Sequence, residues 1–355
     1  MKLLLLALLL ILTSFWAQSQ PPSGYYDPAA GKYGTQLQQA LHDIIDNHTV
    51  ITYDDLWNAF QTTDKKPNGK VWDMYSDIPG GTPPYEFTFG SDQCGSYNNE
   101  GDCFNREHSW PKSWFSDLTP MYSDLFHLYP TDGYVNNRRS NYPYGKVGSA
   151  SWTSDNGSKL GDCIAPGYSG TVFEPIDAYK GDFARSYFYM ATRYYNEDNG
   201  WAGSDMTNGS QLKAWAMTMM LGWSQLDPVS QKEIDRNNAV YAIQHNRNPF
   251  IDHPEYAPNI WGPNAGLSDL TSAIVLNAYP NPASDICKLD IPGISAKHKP
   301  ELLVYTATMQ EMNVQVTWSS STAELNVAGL PSGIYIIKVL SDNDQPVYYS
   351  RIIKK

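Results

Sequence analysis

Two neighbouring residues, Glu107 and His108, carry side chains suited to acid–base and metal chemistry. A neutral imidazole can take a proton from water near pH 7, and a carboxylate is a hard oxygen ligand for magnesium, manganese or calcium. Adjacent residues of an extended segment point to opposite faces, so we expect the two side chains to flank a site. Taken alone, the run Asn105–His108 fits a polar surface segment better than a site.

A second polar stretch, residues 124–141, supplies the other groups that such a site needs. The side-chain carbonyl of Asn136 suits a hard cation, and Arg138 and Arg139 offer planar guanidinium groups for phosphate oxygens. The alternative is a loop rich in Asn and Gly for reasons of turn geometry alone. A base, hard ligands and phosphate-binding groups within about 35 residues are what metal-assisted phosphodiester hydrolysis requires.

The charge balance argues weakly against a nucleic-acid partner. The net charge is -12, whereas phosphate binding normally depends on Lys and Arg. Between Phe104 and Val147, however, five basic residues stand against four acidic ones. An acidic chain can carry a locally basic cleft, especially where a bound cation adds positive charge.

The N-terminus has the pattern of a secretory signal. Lys2 precedes the apolar run 3–12, and small and polar residues follow to Gln20, so residues 1–20 are predicted to be a signal peptide. A membrane anchor needs about 20 apolar residues, and we expect no transmembrane segment.

Export permits disulfides. Cys94 and Cys103 flank a polar loop and are the predicted pair, while Cys163 and Cys287 fall in different predicted domains and are expected to be unpaired. Neither Cys94 nor Cys103 belongs to a C-x-x-C motif, which disfavours a zinc site.

The length of 355 residues indicates two folded units. Helical spacing and cap residues predict four helices: one from about Tyr33, one capped by Asp182, one near 210–222, and one beginning at Asp227-Pro228. Residues 64–105 are predicted to form loops and short strands. Residues 257–273 are predicted to be a linker, and residues 274–355 a small β-sandwich with strands near 301–305, 323–327, 333–339 and 346–353.

The motifs around these residues strongly resemble the bacterial endonuclease I family. The resemblance is carried by residues 103–111, Asp124-Leu125 and 135–141, and also by 181–190 and 244–250. It covers roughly residues 30–256, in the family's order, within a predicted catalytic domain at 21–256. It implies an α+β fold with a ββα-metal (His-Me finger) core and surrounding helices.

The resemblance also implies roles for individual residues. His108 matches the general base, and Glu107 and Asn136 match the ligands of one Mg²⁺, with Mn²⁺ or Ca²⁺ as alternatives. The implied activity is hydrolysis of DNA, and of RNA as well, with little sequence preference, leaving 5′-phosphate ends.

This chain also departs from the family's pattern. It has Asn137 where many relatives have Gly, and Phe126-His127 where the best-known relatives have His-Asn. No arginine lies between the two motifs, so Arg139, with Arg138 as the alternative, is expected to steady the leaving group. Arg106, Asn137 and Arg138 are expected to bind substrate, and Asn105 is kept as a supporting residue. His127 is expected to be structural, and Arg185 is left open between a phosphate contact and a salt bridge.

The tail resembles the C-terminal sorting domain of the type IX secretion system. The resemblance is carried by Asn277–Pro282 and by the β-rich segment that ends at Lys355. It implies secretion machinery as a partner and a secreted or surface-attached product. The alternative is a sugar- or protein-binding β-module.

The sequence therefore predicts a secreted, metal-dependent, nonspecific endonuclease that acts on nucleic acid. Two alternatives stay open: an inactive surface adhesion protein that retains a nuclease-like domain, and a hydrolase of another phosphodiester. A zinc protease is disfavoured, because no H-E-x-x-H motif is present.

Overall fold

The computed structural model describes residues 21–262, 274–291, 299–306, 311–319, 321–340 and 346–355. The predicted signal peptide and residues 263–273 of the predicted linker lie outside these ranges. The chain divides into two compact units. One comprises the residues up to Pro28 together with Leu41–Pro254, and the other comprises Ala29–Ala40 together with Glu255–Lys355.

A ββα unit carries residues of both polar motifs. Strands β1 (Phe104–His108) and β2 (Leu128–Asp132) form an antiparallel pair in which His108 lies opposite Leu128. Helix α3 (Gly133–Arg139) follows β2 without a loop, and the Asp132 side chain caps it by accepting a hydrogen bond from the backbone N–H of Val135. The α+β class is confirmed, and the order strand, strand, helix is the one that the resemblance implies.

Helices and two small sheets precede and follow this ββα unit in the chain. The helices before it are α1 (Gly34–Ile45) and α2 (Leu56–Thr63), and those after it are α4 (Lys180–Arg193), α5 (Ala214–Leu226), α6 (Gln231–Gln244) and α7 (Pro249–Asp252). Strands β3 (Val147–Thr153), β4 (Lys159–Cys163) and β5 (Thr171–Glu174) form a three-stranded antiparallel sheet, and β6 (Thr207–Asn208) pairs with β7 (Gln211–Leu212).

The helices exist where the apolar spacing predicts them, but two of the predicted starts are wrong. Helix α4 begins at Lys180, and Asp182 lies in its first turn with its carboxylate 2.7 Å from the ammonium of Lys232. Helix α6 begins three residues after Pro228, where Ser230 and Glu233 form a capping box. Asp227 instead accepts a hydrogen bond from the backbone N–H of Gly181. In both cases a long-range partner holds the aspartate that was predicted to cap.

The C-terminal part of the second unit begins with helix α8 (Tyr256–Trp261), so the segment predicted as a linker is helical at its start. Nine strands follow among the described residues: β8 (Ile274–Val275), β9 (Ala278–Tyr279), β10 (Ile286–Asp290), β11 (Leu302–Thr306), β12 (Glu311–Met312), β13 (Gln315–Ser319), β14 (Thr322–Asn326), β15 (Gly333–Leu340) and β16 (Pro346–Lys354). They form two sheets, one with the order β13-β14-β10-β9 and the other with the order β12-β11-β15-β16-β8. The strand pairs are antiparallel except for β8 and β16, which are parallel.

Inward-facing residues of both sheets share one core, which includes Leu289, Val304, Leu325 and Ile337. This is the packing of a β-sandwich, and all four predicted strand segments are strands. Across the described ranges, none of the helices has the length and apolar character needed to cross a membrane.

Candidate active site

Glu107 and His108 point to opposite faces of β1, as alternation along a strand predicts. On one face, Asn105 and Glu107 contact side chains of α3. On the other, Arg106 and His108 contact the ring of Tyr53. One short strand therefore presents a carboxylate and an imidazole in two different environments.

The carboxylate of Glu107 is only 3 % exposed and is held through one of its two oxygens. Oε1 accepts hydrogen bonds from the Tyr75 hydroxyl at 2.9 Å and from Nη1 of Arg139 at 3.0 Å. No donor among the described residues reaches Oε2. Burial raises the pKa of Glu107 to about 7, although Arg139 and Tyr75 act to lower it. A buried carboxylate with one free oxygen suits a cation.

Asn136 lies on α3 with its amide fixed in one orientation. Its Nδ2 donates to Oδ1 of Asn105 at 2.7 Å, which leaves the Asn136 carbonyl oxygen without a donor among the described residues. The start of α3 approaches β1 closely at Gly133. A Cβ atom there would lie 2.6 Å from the Tyr97 ring and 3.2 Å from Nδ2 of Asn105. Asn105 and the glycine together set the position of the amide.

The ring of His108 is packed among aromatic side chains and keeps one nitrogen free. Nε2 lies 3.1 Å from the carbonyl oxygen of Tyr122. Because a carbonyl only accepts, Nε2 carries the proton and Nδ1 keeps its lone pair. No hydrogen bond to Nδ1 is made by the described residues. The Tyr53 ring stacks at 5.9 Å with an interplanar angle of 15°.

Electrostatics keep the His108 ring neutral. Burial, followed by the neighbouring His127, holds the pKa of His108 well below its ordinary value. The imidazole is therefore neutral at pH 7, which is the form that a general base requires.

Arg139 was predicted to steady the leaving group, and its position favours another role. The guanidinium is fully buried. Nη1 donates to Glu107 and to the carbonyl of His108 at 2.9 Å, while Nη2 contacts the carbonyl of Ser109 and the Tyr187 hydroxyl. A guanidinium with these nitrogens on protein oxygens and no exposed surface does not present donors to a phosphate. It holds Glu107 and the end of β1.

Two of the other predicted substrate-binding residues are exposed, whereas the side chain of Arg106 is 16 % exposed and pairs with Asp54 at 3.3 Å. The guanidinium of Arg106 lies 3.6 Å from the ring centroid of Tyr53 and 4.5 Å from that of Trp57, and Nη1 donates to the Tyr53 carbonyl. Its Nε and Nη2 donate to no described residue. Asn137 and Arg138 are exposed on α3. These three side chains remain accessible to an anionic polymer.

A disulfide is formed by the residue that immediately precedes β1. Cys94 and Cys103 are bonded, with a Cα–Cα distance of 5.7 Å, and the carbonyl of Cys103 accepts a hydrogen bond from the backbone N–H of Gly133. The bond thus braces the residue before β1 against the first residue of α3. Cys163 and Cys287 are free and buried.

Three buried tyrosines that support this site could not be predicted from the sequence. The Tyr75 hydroxyl contacts both Glu107 and the Tyr144 hydroxyl, the latter at 2.8 Å. The Tyr187 hydroxyl donates to the carbonyl of Ser109 at 2.7 Å. Their signal is only the high content of 25 tyrosines, because their positions follow no spacing that links them to β1.

Two residues left near the site are structural. His127 is fully buried, with Nε2 2.7 Å from the carbonyl of Met121, as expected of a packing residue. Arg185 pairs with Glu233 through two nitrogens, at 2.5 and 2.8 Å. Of the two roles left open for Arg185, the salt bridge is the one observed.

Asp124, from the second motif, is also a structural residue. It is fully buried, and its carboxylate accepts hydrogen bonds from the hydroxyls of Tyr189 and Tyr194 at 2.9 and 2.8 Å and from the amide of Gln244 at 3.0 Å. These contacts tie the segment before β2 to α4 and α6.

A ββα unit with a neutral histidine beside a carboxylate that has one free oxygen defines the class of protein as a nuclease. The family model described as Endonuclease I matches residues 33–255. The chain therefore belongs to the endonuclease I family.

Curated relatives agree with this assignment. The chain is 40 % identical over 246 residues to an extracellular ribonuclease of Bacillus amyloliquefaciens, covering 67 % of this chain and 78 % of the relative. It is 38 % identical over 250 residues to an extracellular ribonuclease of Bacillus subtilis, with the same coverage. A periplasmic deoxyribonuclease of Aeromonas hydrophila is 26 % identical over 139 residues, which cover 39 % of this chain and 50 % of the relative.

The tail has its own match. The family model of the secretion system C-terminal sorting domain matches residues 277–355, which include the strands from β9 onward. The resemblance to a sorting domain is confirmed, and the protein is secreted or attached to the cell surface.

Proposed function

We propose that this protein is an extracellular, Mg²⁺-dependent endonuclease that hydrolyses phosphodiester bonds of DNA and RNA and leaves 5′-phosphate ends. In this proposal His108 is the general base, and Glu107 and Asn136 hold the ion. Residues 21–256 form the catalytic domain, residues 1–20 a cleaved signal peptide, and residues 274–355 the segment that engages the type IX secretion machinery.

The two available ligand oxygens support a hard divalent cation. Oε2 of Glu107 and Oδ1 of Asn136 are the two oxygens left without a hydrogen-bond donor among the described residues, and Mg²⁺ prefers a few carboxylate or amide oxygens together with water. When bound, the ion would stabilise negative charge on the phosphate and on the departing 3′ oxygen. Mn²⁺ and Ca²⁺ accept the same ligands and are expected to bind there as well.

His108 takes the proton from the attacking water at Nδ1. Its Nε2–H already donates to the Tyr122 carbonyl, so the ring orientation is set before the reaction and the imidazolium that forms has a partner. The oxygen of the water attacks phosphorus and the P–O3′ bond breaks. The phosphate stays on the 5′ oxygen of the following nucleotide, and the departing 3′ oxygen takes up a proton to become a hydroxyl.

Surface cations bind the substrate, while buried ones position the site. The exposed Arg138 and Asn137, together with the partly buried Arg106, offer donors to backbone phosphates, which carry no base information, and this accounts for weak sequence preference. Arg139 is a positioning residue, since its guanidinium holds Oε1 of Glu107 and thereby leaves Oε2 free.

The inclusion of RNA among the substrates is supported by the relatives. The two at 38–40 % identity are named ribonucleases, and the more distant Aeromonas protein is named a deoxyribonuclease. Because the proposed site attacks phosphate rather than a base, both polymers fit it.

The observation that carries the proposal is the state of His108. It is buried and neutral, with Nε2 committed to a carbonyl and Nδ1 free, next in sequence to a carboxylate with one free oxygen. The structural His127 also has an Nδ1 without a hydrogen-bond partner, but His127 is fully buried, whereas His108 keeps 6 % of its surface exposed.

The test is cleavage of supercoiled plasmid and of a labelled RNA by the purified protein, with Mg²⁺ and with EDTA. We expect wild type to cut both with Mg²⁺ and neither with EDTA. His108→Ala is expected to lose roughly 10²–10⁴-fold in rate, and Glu107→Gln to require far more Mg²⁺. Mapping of the ends should show 5′-phosphates.

His253→Gln, a histidine outside the site, is the matched control and is expected to cut like wild type. Thermal unfolding of each variant separates lost chemistry from lost structure. Wild type that leaves both substrates intact with Mg²⁺, Mn²⁺ and Ca²⁺ would refute the nuclease proposal. A folded His108→Ala that cuts at the wild-type rate would refute the assignment of the base alone.

A further inference from the structure

A second cluster of metal-ligating side chains lies where α1 and α4 end. His42 is in the last turn of α1, Asp46 follows that helix, and Glu197 lies four residues beyond the end of α4. One ligand atom from each of these side chains lies within 4.8 Å of the others. None of them belongs to the nuclease site described above.

His42 is held so that one ring nitrogen faces the cluster. It is 8 % exposed, and Nδ1 lies 3.1 Å from the carbonyl of Thr192 and 3.0 Å from that of Arg193. Both are acceptors, so Nδ1 carries the proton and Nε2 is turned toward Oε1 of Glu197 at 3.8 Å. This is beyond hydrogen-bond reach. In a metal-binding histidine, one ring nitrogen usually donates to a carbonyl or carboxylate oxygen while the other faces the metal and its remaining ligands.

The charges of the cluster favour a further cation. Arg193 contributes one positive charge and contacts Asp46 at 2.9 Å and Glu197 at 2.8 Å. Two carboxylates face one guanidinium, which leaves an excess of one negative charge.

The two helix ends add to the negative charge of the cluster. Both α1 and α4 direct their C-terminal ends, each equivalent to roughly half a negative charge, at the same place. A divalent cation would balance the carboxylate excess and the two helix ends together.

We propose that His42, Asp46 and Glu197 bind one Zn²⁺ ion that ties the end of α1 to the end of α4. One imidazole nitrogen and two carboxylate oxygens suit Zn²⁺ better than Ca²⁺, which takes oxygen ligands. Ligand atoms around a tetrahedral Zn²⁺ are about 3.4 Å apart at bond lengths of about 2.1 Å. Arg193 contacts Oε2 of Glu197, and Oε1 on this 40 % exposed side chain closes the remaining distance by a rotamer change.

Water completes the coordination in this proposal, since the cluster opens to solvent through Glu197. The ion is structural, and the proposal does not depend on the nuclease mechanism. The competing explanation is a doubly protonated His42 that pairs directly with Glu197 and needs no metal.

The experiment uses the full-length protein and Zn²⁺ itself. Because Zn²⁺ can also occupy the nuclease site, calorimetric titration is carried out in the Glu107→Gln background. One Zn²⁺ per chain is expected to remain there. Adding His42→Gln should weaken its binding by at least roughly tenfold, the loss typical when one ligand or its support is removed. Zn²⁺ should raise the unfolding temperature of the Glu107→Gln protein but not that of the double variant.

Two controls keep the result interpretable. His253→Gln, in the same background, should bind Zn²⁺ as before. Glu197→Gln alters only a half-exposed side chain, so it tests the site even if His42→Gln fails to fold. Absence of Zn²⁺ binding in the Glu107→Gln protein, or undiminished binding in both Glu197→Gln and His42→Gln, would overturn the proposal. An imidazolium signal from His42 at pH 8 in nuclear magnetic resonance, unchanged by Zn²⁺, would establish the metal-free ion pair instead.

Discussion

Replacing Arg139 by Met should destabilise the catalytic unit strongly, because it strands the buried carboxylate of Glu107. The two side chains are 1 % and 3 % exposed, and their charged atoms lie 3.0 Å apart. The same guanidinium also donates to the carbonyls of His108 and Ser109. Methionine fills much of the space but donates no hydrogen bond.

The size of the effect follows from these contacts. Removing one partner of a buried ion pair typically costs about 3–5 kcal/mol. In Arg139→Met, Glu107→Gln no buried charge is left, and the cost should fall to about 1–2 kcal/mol, for the carbonyls that lose a donor. The double variant should therefore be more stable than Arg139→Met alone by about 2–3 kcal/mol.

The penalty of Arg139→Met should also depend on pH. Burial already raises the pKa of Glu107 to about 7, against the lowering effect of Arg139, so without the guanidinium this pKa rises further. A carboxyl whose folded pKa lies above its unfolded value disfavours folding as the pH rises through that interval. The variant should therefore lose more stability at alkaline than at acidic pH, and less so when Glu107→Gln is added.

Urea unfolding in EDTA, followed by tryptophan fluorescence, measures these differences. Trp110 is fully buried and lies 5.0 Å from the Tyr187 ring, beside the guanidinium, so it reports on this part of the core. The control is Arg138→Met, the exposed neighbour on α3, which should change stability by less than about 0.5 kcal/mol. If the destabilisation of the double variant equals the sum of the destabilisations of the two single variants within about 0.5 kcal/mol, the buried pair is refuted as the source of the effect.

Three further predictions concern the elements that hold the site. Gly133→Ala forces α3 away from Tyr97 and Asn105 and should cost about 1–3 kcal/mol; it should also weaken Mg²⁺ binding in calorimetry, which an unchanged affinity would contradict. Ser230→Ala removes the capping box of α6 and should lower the free energy of unfolding in urea by about 1 kcal/mol. Ser230→Asp should keep most of the stability that the cap contributes. Burial opposes ionisation of Asp124, but His48, His127 and Gln244 prevail and lower its pKa. The stability that its charge contributes is thus present above the ordinary aspartate pKa and is lost as the pH falls through the lowered value, so the deficit of Asp124→Asn should shrink in acid.

Local patterns were sufficient where the local chain decides the structure. The spacing of Leu37, Leu41 and Ile45 predicts α1, and these residues are buried in it. Alternation along β1 correctly predicted that Glu107 and His108 face opposite ways. In each case the signal lies within a few residues of its consequence.

Long-range partners decided what local patterns missed. Asp182 and Asp227 both stand where a capping residue is expected, yet Lys232 and the backbone N–H of Gly181 engage them. Both partners come from another part of the chain, so the neighbouring sequence cannot distinguish these aspartates from residues that cap a helix. The same holds for Tyr75, which reaches Glu107 from 32 residues away.

The adjacency of Glu107 and His108 is what the proposed chemistry requires. Residues two apart on β1 share a face, so a Glu-x-His order would place the imidazole beside the Arg139 guanidinium. There its free nitrogen would meet a buried donor rather than water, and a proton on it would face a positive charge. With the two side chains adjacent, the strand separates them. The carboxylate takes the side with Arg139 and the Tyr75 hydroxyl, and the imidazole takes the side with aromatic rings and the Tyr122 carbonyl. A single strand end thereby supports an anionic ligand and a neutral base within one residue of each other.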